Sequence, residues 1–287
     1  MRRLSVVLAI ALLSTAGLFL LLAGPTSATS HTWTSDTDFA GGTATDTEVV
    51  GTGAAAAIQL KINPQFNWLN MSPIVSPLPR TGASMAFDAL HGLVLMFGGL
   101  SSAGVYLNDT WTYNTATNSW TNVTGVVGPQ VRLGAGFSYD PVAQAAFLYG
   151  GSDAGPTGRT DLWKYDVVAG TWSPLNPIPS PRAMDSTPMV YDSSVQKHVL
   201  AGKDSTNTSF LVWLYDSSAN KWSGRLPATN PGARSGHTLD FDRRTLRSFL
   251  FGGAEGLTVF GDWWDYNATT NTWALLGIPV PNVTPNP

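Results

Sequence analysis

Short runs in which apolar and polar residues alternate recur from residue 80 onward, and the same order of runs is found four times. Each copy begins with an arginine, and successive arginines are 52, 50 and 52 residues apart. The first run of each copy ends in an aromatic residue followed by an aspartate. The second run ends at a glycine ten residues after that aspartate. Runs of this kind predict β-strands, so each copy predicts one sheet. The arginines are Arg80, Arg132, Arg182 and Arg234.

A third run carries the pattern Asp-X-Trp-X-Tyr, and a tryptophan seven residues after the tyrosine marks a fourth. Residues at i, i+2 and i+4 of a strand share one face, so the aromatic rings can pack on a neighbouring sheet. The third copy departs from the pattern, with Leu211 in place of the aspartate. The repeated tryptophans are Trp111, Trp163, Trp213 and Trp264 in the third run, and Trp120, Trp172, Trp222 and Trp273 in the fourth.

Two positions in each copy predict a special backbone conformation. Two residues before the last tryptophan stands asparagine or glycine, which tolerate positive φ, so a left-handed residue is predicted in each hairpin: Asn118, Gly170, Asn220 and Asn271. Paired glycines end the second run, where we expect neighbouring backbones to approach closely. These pairs are Gly98 and Gly99, Gly150 and Gly151, and Gly252 and Gly253, whereas the third copy reads Gly202 and Lys203.

Arginine, aspartate, an aromatic residue with two glycines, Asp-X-Trp-X-Tyr and a final tryptophan together resemble the kelch repeat. The resemblance implies an all-β, kelch-type β-propeller, similar to the central domain of galactose oxidase, with four-stranded blades around a channel. It also implies that the repeated arginines are structural contacts rather than ligand anchors. We expect four clear blades within residues 80–274, at 80–121, 132–173, 182–223 and 234–274, before a Pro-rich tail at 275–287.

A degenerate fifth blade is predicted at residues 31–79. Trp68 lies 12 residues before Arg80, the spacing that separates the last tryptophan from the next arginine in two other copies. Runs at 47–50 and 58–62 would supply strands. A closed four-blade ring, an open arc and a truncated longer array remain alternatives.

Residues 1–28 predict an export signal followed by an extracellular or surface-located domain. Arg2 and Arg3 precede 21 uncharged, mostly apolar residues, and small residues up to Ala28 follow. The run exceeds a typical signal core of about 7–15 residues and approaches the about 20 that span a bilayer as a helix. A cleaved signal peptide and an uncleaved helical anchor are therefore both open, and this segment is the only membrane contact that we predict.

Export makes the Asn-X-Ser/Thr triplets predicted N-glycosylation acceptors. The alternative is that a chain rich in asparagine, threonine and serine contains such triplets by chance. They are Asn70, Asn108, Asn122, Asn207, Asn267 and Asn282.

The amino-acid composition excludes several kinds of ligand and catalytic site. Charged residues make up 12% of the chain and the net charge is −3, so no basic field exists to bind nucleic acid. The absence of cysteine excludes disulfides, thiolate catalysis and cysteine-ligated metals. The histidines stand at dissimilar repeat positions, and we predict neither a metal nor a cofactor. They are His31, His91, His198 and His237.

Two classes of enzyme occur on propellers of the kind that the repeat resembles. A copper radical oxidase is disfavoured because its cofactor requires a cysteine crosslinked to a tyrosine. A sugar mutarotase or epimerase remains the alternative function, although no motif marks the polar cluster that it would need at the channel mouth.

The loops between the second and third runs differ from copy to copy and would form a rim on one face of a propeller. We therefore predict a non-catalytic module whose rim binds an extracellular protein or glycan. Its predicted contact residues, chosen because they can stack on or hydrogen-bond a ligand, are Tyr106, Arg159, Lys203 and Phe260.

Overall fold

A computed structural model describes residues 71–155, 158–184, 186–204 and 209–277, together with three short strands nearer the N-terminus. The chain divides into two compact units, Met1–Met71 and Ser72–Pro287. The described residues contain no helix with the length and hydropathy needed to cross a membrane.

The first unit contains an antiparallel sheet in the order β1-β3-β2. Its strands are β1 (Phe19–Leu21), β2 (Thr47–Val50) and β3 (Ala57–Leu60). The β2 strand coincides with the predicted run at 47–50, and β3 overlaps the run at 58–62. Apart from Phe19–Leu21, the expected N-terminal helix lies outside the described residues, as does most of the expected fifth blade, so both stay predictions.

The second unit is a four-blade β-propeller arrangement of antiparallel sheets, which confirms the predicted all-β fold. Blade 1 contains β4 (Arg80–Thr81), β5 (Ser84–Asp88), β6 (Leu93–Ser101), β7 (Tyr106–Asn114) and β8 (Ser119–Asn122). Blade 2 contains β9 (Gly136–Asp140), β10 (Ala145–Tyr149), β11 (Leu162–Asp166) and β12 (Thr171–Leu175). Blade 3 contains β13 (Met189–Asp192), β14 (Lys197–Lys203), β15 (Phe210–Asp216) and β16 (Lys221–Arg225). Blade 4 contains β17 (Thr238–Asp242), β18 (Arg247–Phe251), the small hairpin of β19 (Ala254–Glu255) and β20 (Thr258–Val259), then β21 (Trp263–Asn267) and β22 (Thr272–Gly277).

The first full strand of each blade is its inner strand, and these strands pack in succession: β5 on β9, β9 on β13, and β13 on β17. Because each sheet is antiparallel, the loop between its second and third strands and its connection to the next blade lie at the same end of the strands. We call this side of the propeller the loop face. The two tight hairpins of each blade lie at the opposite end of the strands, on the hairpin face.

Aromatic contacts between neighbouring blades form the core. The ring of Trp172 in blade 2 lies 5.4 Å from that of Phe97 in blade 1, and its Nε1 donates to Thr110 Oγ1 at 2.9 Å. In blades 2, 3 and 4, the outermost strand thus places its tryptophan on the preceding blade. The equivalent ring pairs are Trp222 with Tyr149 at 5.0 Å and Trp273 with Phe210 at 5.6 Å.

The predicted left-handed residues are confirmed in all four blades. Their φ angles are 51° at Asn118, 66° at Gly170, 47° at Asn220 and 57° at Asn271. In three of these hairpins the asparagine Oδ1 also accepts a hydrogen bond of 2.9 Å from the repeated tyrosine hydroxyl.

The predicted close approach at the paired glycines is also found. Gly99 has φ 101°, and a Cβ there would lie 2.9 Å from the carbonyl oxygen of Thr81. At Gly151 the corresponding distance, to the oxygen of Leu133, is 2.7 Å. Blade 3 differs because Gly202 continues the regular strand β14.

Candidate functional site

Arg132 in blade 2 shows how the repeated arginine is held. Its guanidinium makes a bidentate ion pair with Asp161, at 2.7 Å for Nη1–Oδ1 and 2.6 Å for Nη2–Oδ2. Nη1 also donates to the carbonyl of Gly150 at 2.9 Å, and Nε donates to that of Gln130 at 3.0 Å. Trp163 Nε1 donates to the same carboxylate at 2.6 Å. Since Arg132 is fully buried, these donors are used within the blade.

The same arrangement recurs in blades 1 and 4. Burial alone would raise the pKa of each aspartate, but hydrogen bonds from the arginine and the tryptophan outweigh it, and the pKa is lowered in all three copies. The carboxylates therefore stay charged and paired near neutral pH. The other members are Arg80, Asp109 and Trp111 in blade 1, and Arg234, Asp262 and Trp264 in blade 4.

Blade 3 breaks this arrangement. Leu211 occupies the position of the aspartate, and Arg182 is exposed, whereas Arg132 and Arg234 are buried. A structural role for Arg182 like that of the other arginines stays a prediction.

The two cationic residues of the predicted rim are both neutralised. Arg159 Nη2 pairs with Asp153 of the same loop. Lys203 Nζ lies 2.7 Å from each carboxylate oxygen of Glu255, which joins blade 3 to the small hairpin of blade 4. Neither side chain offers an unpaired charge to an anionic ligand.

The two aromatic residues of the rim are half-buried. The ring of Phe260 stacks on the Arg234 guanidinium, with 3.9 Å between Cζ and the ring centroid. Tyr106 begins β7 and pairs in register with Leu100. Because the four rim residues belong to four different blades, they lie around the loop face and do not form one pocket.

Exposed aliphatic side chains mark the loop face more clearly than these four residues do. In each connection that leads into a blade, four to eight residues before the repeated arginine, one large aliphatic side chain is at least 87% exposed. We call this set the apolar crown: Ile74, Val126, Ile178 and Leu226. Loop residues Val105, Leu257 and Val259 on the same face are exposed as well. We did not predict the crown from the sequence, although its recurrence before each arginine was a usable signal.

A cavity of about 670 Å³ lies between the inner strands of the four blades. Its wall includes the aromatic residue that precedes the repeated aspartate in each blade: Phe87, Tyr139, Tyr191 and Phe241. Burial, with smaller contributions from the neighbouring aspartates, raises the pKa of both tyrosines to about 12. Both hydroxyls therefore stay protonated near neutral pH and are unsuited to act as general bases.

Ser138, His198 and Asp140 bring together the residue types of a serine-hydrolase triad. Ser138 Oγ lies 2.6 Å from His198 Nδ1, but His198 Nε2 lies 3.8 Å from Asp140 Oδ2, too far for a hydrogen bond. Asp140 instead accepts from the backbone N–H of Val142 at 2.8 Å and from Ser217 Oγ at 2.5 Å. All three residues are buried between blades 2 and 3, and Ser138 also lines the cavity between the inner strands. Without a hydrogen bond between the histidine and the aspartate, they form a network between blades and not a complete triad.

The other histidines are also used within the fold. His237 Nε2 lies 2.8 Å from the carbonyl oxygen of Ala201, and burial lowers the pKa of His237 to about 4. His91 Nδ1 lies 2.6 Å from Asp88. Among the residues that the structure describes, no group of three His, Cys, Asp or Glu side chains could hold a metal ion. His31 lies outside them.

Three of the predicted glycan acceptors can be placed. Asn108 and Asn122 are exposed. Asn267 is half-buried, and its Oδ1 caps the backbone N–H groups of Thr269 and Thr270 at 3.0 and 3.3 Å. The remaining acceptors, Asn70, Asn207 and Asn282, lie outside the described residues.

Comparison with known proteins gives one family match. The family model described as the KLHDC2/KLHL20/DRC7 Kelch-repeats domain matches residues 61–224. No curated protein matches the chain.

Proposed function

Since the chain belongs to this Kelch-repeat domain family, we propose that it is a protein-binding module whose partner docks on the loop face. The family assignment supports a role in protein interaction, and the apolar crown is the observation that favours this face. When a partner covers exposed aliphatic side chains, the binding free energy becomes more favourable by about 25 cal/mol per Å² of apolar surface buried.

The electrostatics of the loop face also support a largely uncharged partner surface. Arg159 and Lys203 are each paired with a carboxylate. A highly charged partner would have to displace these pairs, whereas an apolar segment can cover the crown and leave them intact. We therefore infer that aliphatic or aromatic side chains of the partner provide the main contacts.

Matched substitutions on the two faces test this proposal. The loop-face variant combines Val126→Ser with Ile178→Ser. The hairpin-face control combines Val142→Ser with Val168→Ser, at side chains that are 68% and 77% exposed. Each tagged full-length chain is expressed in its host, crosslinked and captured, and bound proteins are quantified.

We expect the partner to be recovered with wild type and with the hairpin-face control, and at least about tenfold less with the loop-face variant. Thermal unfolding of all three proteins is the control that tests whether the substitutions leave the fold unchanged. Equal recovery by the three proteins refutes docking on the loop face. A specific signal on a glycan array together with no recovered protein would replace the protein partner with a glycan.

We also propose that the domain is exported and works outside the cytoplasm. Arg2, Arg3 and the 21-residue run that follows them support this. Protease added to intact cells should digest the domain, or fractionation should find it in the medium. A mature N-terminus after Ala28 would identify a cleaved signal, and an intact N-terminus in the membrane fraction an anchor. Full protection inside intact cells contradicts export.

A further inference from the structure

The repeated aspartate at the end of the inner strand has two separate tasks. Its Oδ1 caps the following hairpin, as Asp140 does for the N–H of Val142 and Asp192 does for that of Ser194, each at 2.8 Å. Asp140 Oδ2 is turned toward the next blade, where it accepts from Ser217 Oγ, whereas Asp88 Oδ2 contacts His91 of its own hairpin. The surroundings of Oδ2 therefore differ between blades.

Between blades 2 and 3, Asp140 Oδ2 is surrounded by polar groups of the protein. Ser217 Oγ donates to Asp140 Oδ2 at 2.5 Å, and His198 Nε2 lies 3.8 Å away. The Tyr191 hydroxyl also interacts with the Asp140 carboxylate. All three partners come from blade 3.

Between blades 3 and 4 each of these polar groups is replaced. The equivalent residues of blade 4 are Phe241 for Tyr191, Ser248 for His198 and Ala268 for Ser217. As a result, Asp192 Oδ2 and Ser248 Oγ are both buried without a hydrogen-bond partner. Both residues are 0% exposed.

The register of the strands places Asp192 and Ser248 on the facing surfaces of blades 3 and 4. Ser248 pairs with Phe241 and Tyr266, as His198 pairs with Tyr191 and Tyr215, so its side chain lies on the face of blade 4 that packs on blade 3. Strand β13, which ends at Asp192, packs against β18, which carries Ser248. Serine in place of histidine removes most of an imidazole ring, more than the roughly 30 Å³ that one water molecule takes in the liquid.

Asp192 Oδ1 accepts from the N–H and the hydroxyl of Ser194 at 2.8 and 2.6 Å, whereas Oδ2 has no such donor among the described residues. None of the ion pairs in the described part of the chain includes Asp192. Arg225, whose charge lowers the pKa of Tyr266 whereas that of Asp192 raises it, is in none of these ion pairs. A buried carboxylate without a partner is costly, and buried charges in proteins are paired or coordinate a metal ion.

We propose that Asp192 Oδ2 and Ser248 Oγ bind one monovalent cation, a sodium or potassium ion, between blades 3 and 4. Carboxylate and hydroxyl oxygens are suitable ligands for such a hard cation. The single negative charge of Asp192 matches a single positive charge, whereas a divalent ion would leave excess buried charge. The ion would link blade 4 to blade 3, as His198 and Ser217 link blade 3 to blade 2.

Thermal unfolding of the full-length protein tests the site in sodium, potassium and choline chloride at constant ionic strength. We expect the midpoint to be about 2–4 °C higher in one alkali salt than in choline chloride, because an ion that binds the folded state stabilises it. Ser248→His, which restores the residue of the preceding blade, should abolish this difference. Asp242→Asn is the matched control, since Asp242 holds the same repeat position without being buried, and it should preserve the difference.

Equal midpoints in the three salts overturn the proposal, and so does a difference that survives Ser248→His. If that variant does not fold, crystals of the wild-type protein grown with rubidium chloride and, separately, with sodium chloride provide the second measurement. An anomalous rubidium peak beside Asp192, or a sodium ion with short oxygen contacts there, supports the site, and the absence of both refutes it.

Discussion

The indole N–H groups of the fourth-strand tryptophans find different partners in successive blades. Trp172 Nε1 donates to Thr110 Oγ1 at 2.9 Å, whereas Trp273 Nε1 is buried without an acceptor. The residue of blade 3 that corresponds to Thr110 is Val212, which is fully buried in the cluster that includes Trp273. An unsatisfied buried donor costs about 1–3 kcal/mol, so this contact can be improved.

We predict that Val212→Thr raises the free energy of unfolding by about 0.5–1 kcal/mol, because the new hydroxyl accepts from Trp273 Nε1. Threonine has nearly the shape of valine, and at an ordinary buried site its hydroxyl would destabilise the protein. Urea denaturation of a double-mutant cycle with Trp273→Phe measures the effect. In the phenylalanine background the same substitution should cost about 1 kcal/mol or more, and an equal change in both backgrounds contradicts the prediction.

The hairpin between the first two strands of every blade also holds a left-handed residue, which we did not predict. Its φ angle is 66° at Gly92, 49° at Gln144, 52° at Gln196 and 56° at Leu246. A side chain with Cβ is strained in this conformation, so the hairpin imposes it whatever residue is present.

Leu246→Gly is therefore expected to raise the free energy of unfolding by about 0.5–1 kcal/mol. Leu246 is 45% exposed, so little packing is lost. Chemical denaturation measures the change. Leu257→Gly is the control, because Leu257 is fully exposed and lacks positive φ, and there added chain entropy should lower stability. A loss at Leu246 equal to that at Leu257 would refute the strain argument.

Among the structural elements, the start of the inner strand is tied to the start of the third strand by the arginine–aspartate pair. In blade 2 this pair is Arg132 with Asp161, and Arg132 is fully buried. In blade 3, Leu211 stands at the position of this aspartate. The β14 strand of blade 3 runs regularly to Lys203, whose pair with Glu255 joins blade 3 to blade 4.

We predict that Asp161→Asn lowers the free energy of unfolding by about 3 kcal/mol, since it leaves the Arg132 charge buried and uncompensated. The value lies at the low end of the range for buried pairs because 38% of the Asp161 side chain is exposed. Urea denaturation gives the loss. Asp153→Asn, which removes the partly exposed pair with Arg159, should cost about 1 kcal/mol or less. Similar losses for both variants would show that burial of Arg132 is not the cause.

For the whole molecule, the buried histidines predict how stability depends on pH. Burial lowers the pKa of His198, and it lowers that of His237 to about 4 from an ordinary value of 6.5. Between about pH 4 and pH 6.5 the histidines bind more protons in the unfolded chain than in the folded one. Folding stability therefore falls as the pH decreases from about 6.5 toward 4. The lowered aspartate pKa values add a further loss below about pH 4.

We therefore expect the thermal midpoint to decrease steadily as pH is lowered from about 7 to about 4.5. His237→Gln should make this decrease shallower, because one group that takes up a proton only on unfolding is removed. Calorimetry across this pH range measures both slopes. A wild-type midpoint that is independent of pH here would contradict burial of the neutral imidazoles.

The repeat by itself determined the number of clear blades, the strand order within them and the left-handed residues at Asn118, Gly170, Asn220 and Asn271. These features are local, since strand alternation, hairpin geometry and glycine conformation depend on residues close together in the chain. The family match and the propeller arrangement confirm this interpretation.

Only the tertiary structure decided what each repeated residue contacts across a blade boundary. Asp140 and Asp192 occupy the same repeat position, yet one is surrounded by polar groups and the other is not, because the neighbours come from the next blade. Three of the four predicted rim residues, Arg159, Lys203 and Phe260, proved to be engaged in ion pairs or stacking, while the unpredicted apolar crown is exposed. The physical reason is that burial and pairing depend on neighbours about 50 residues away, whose side chains vary independently of the repeat.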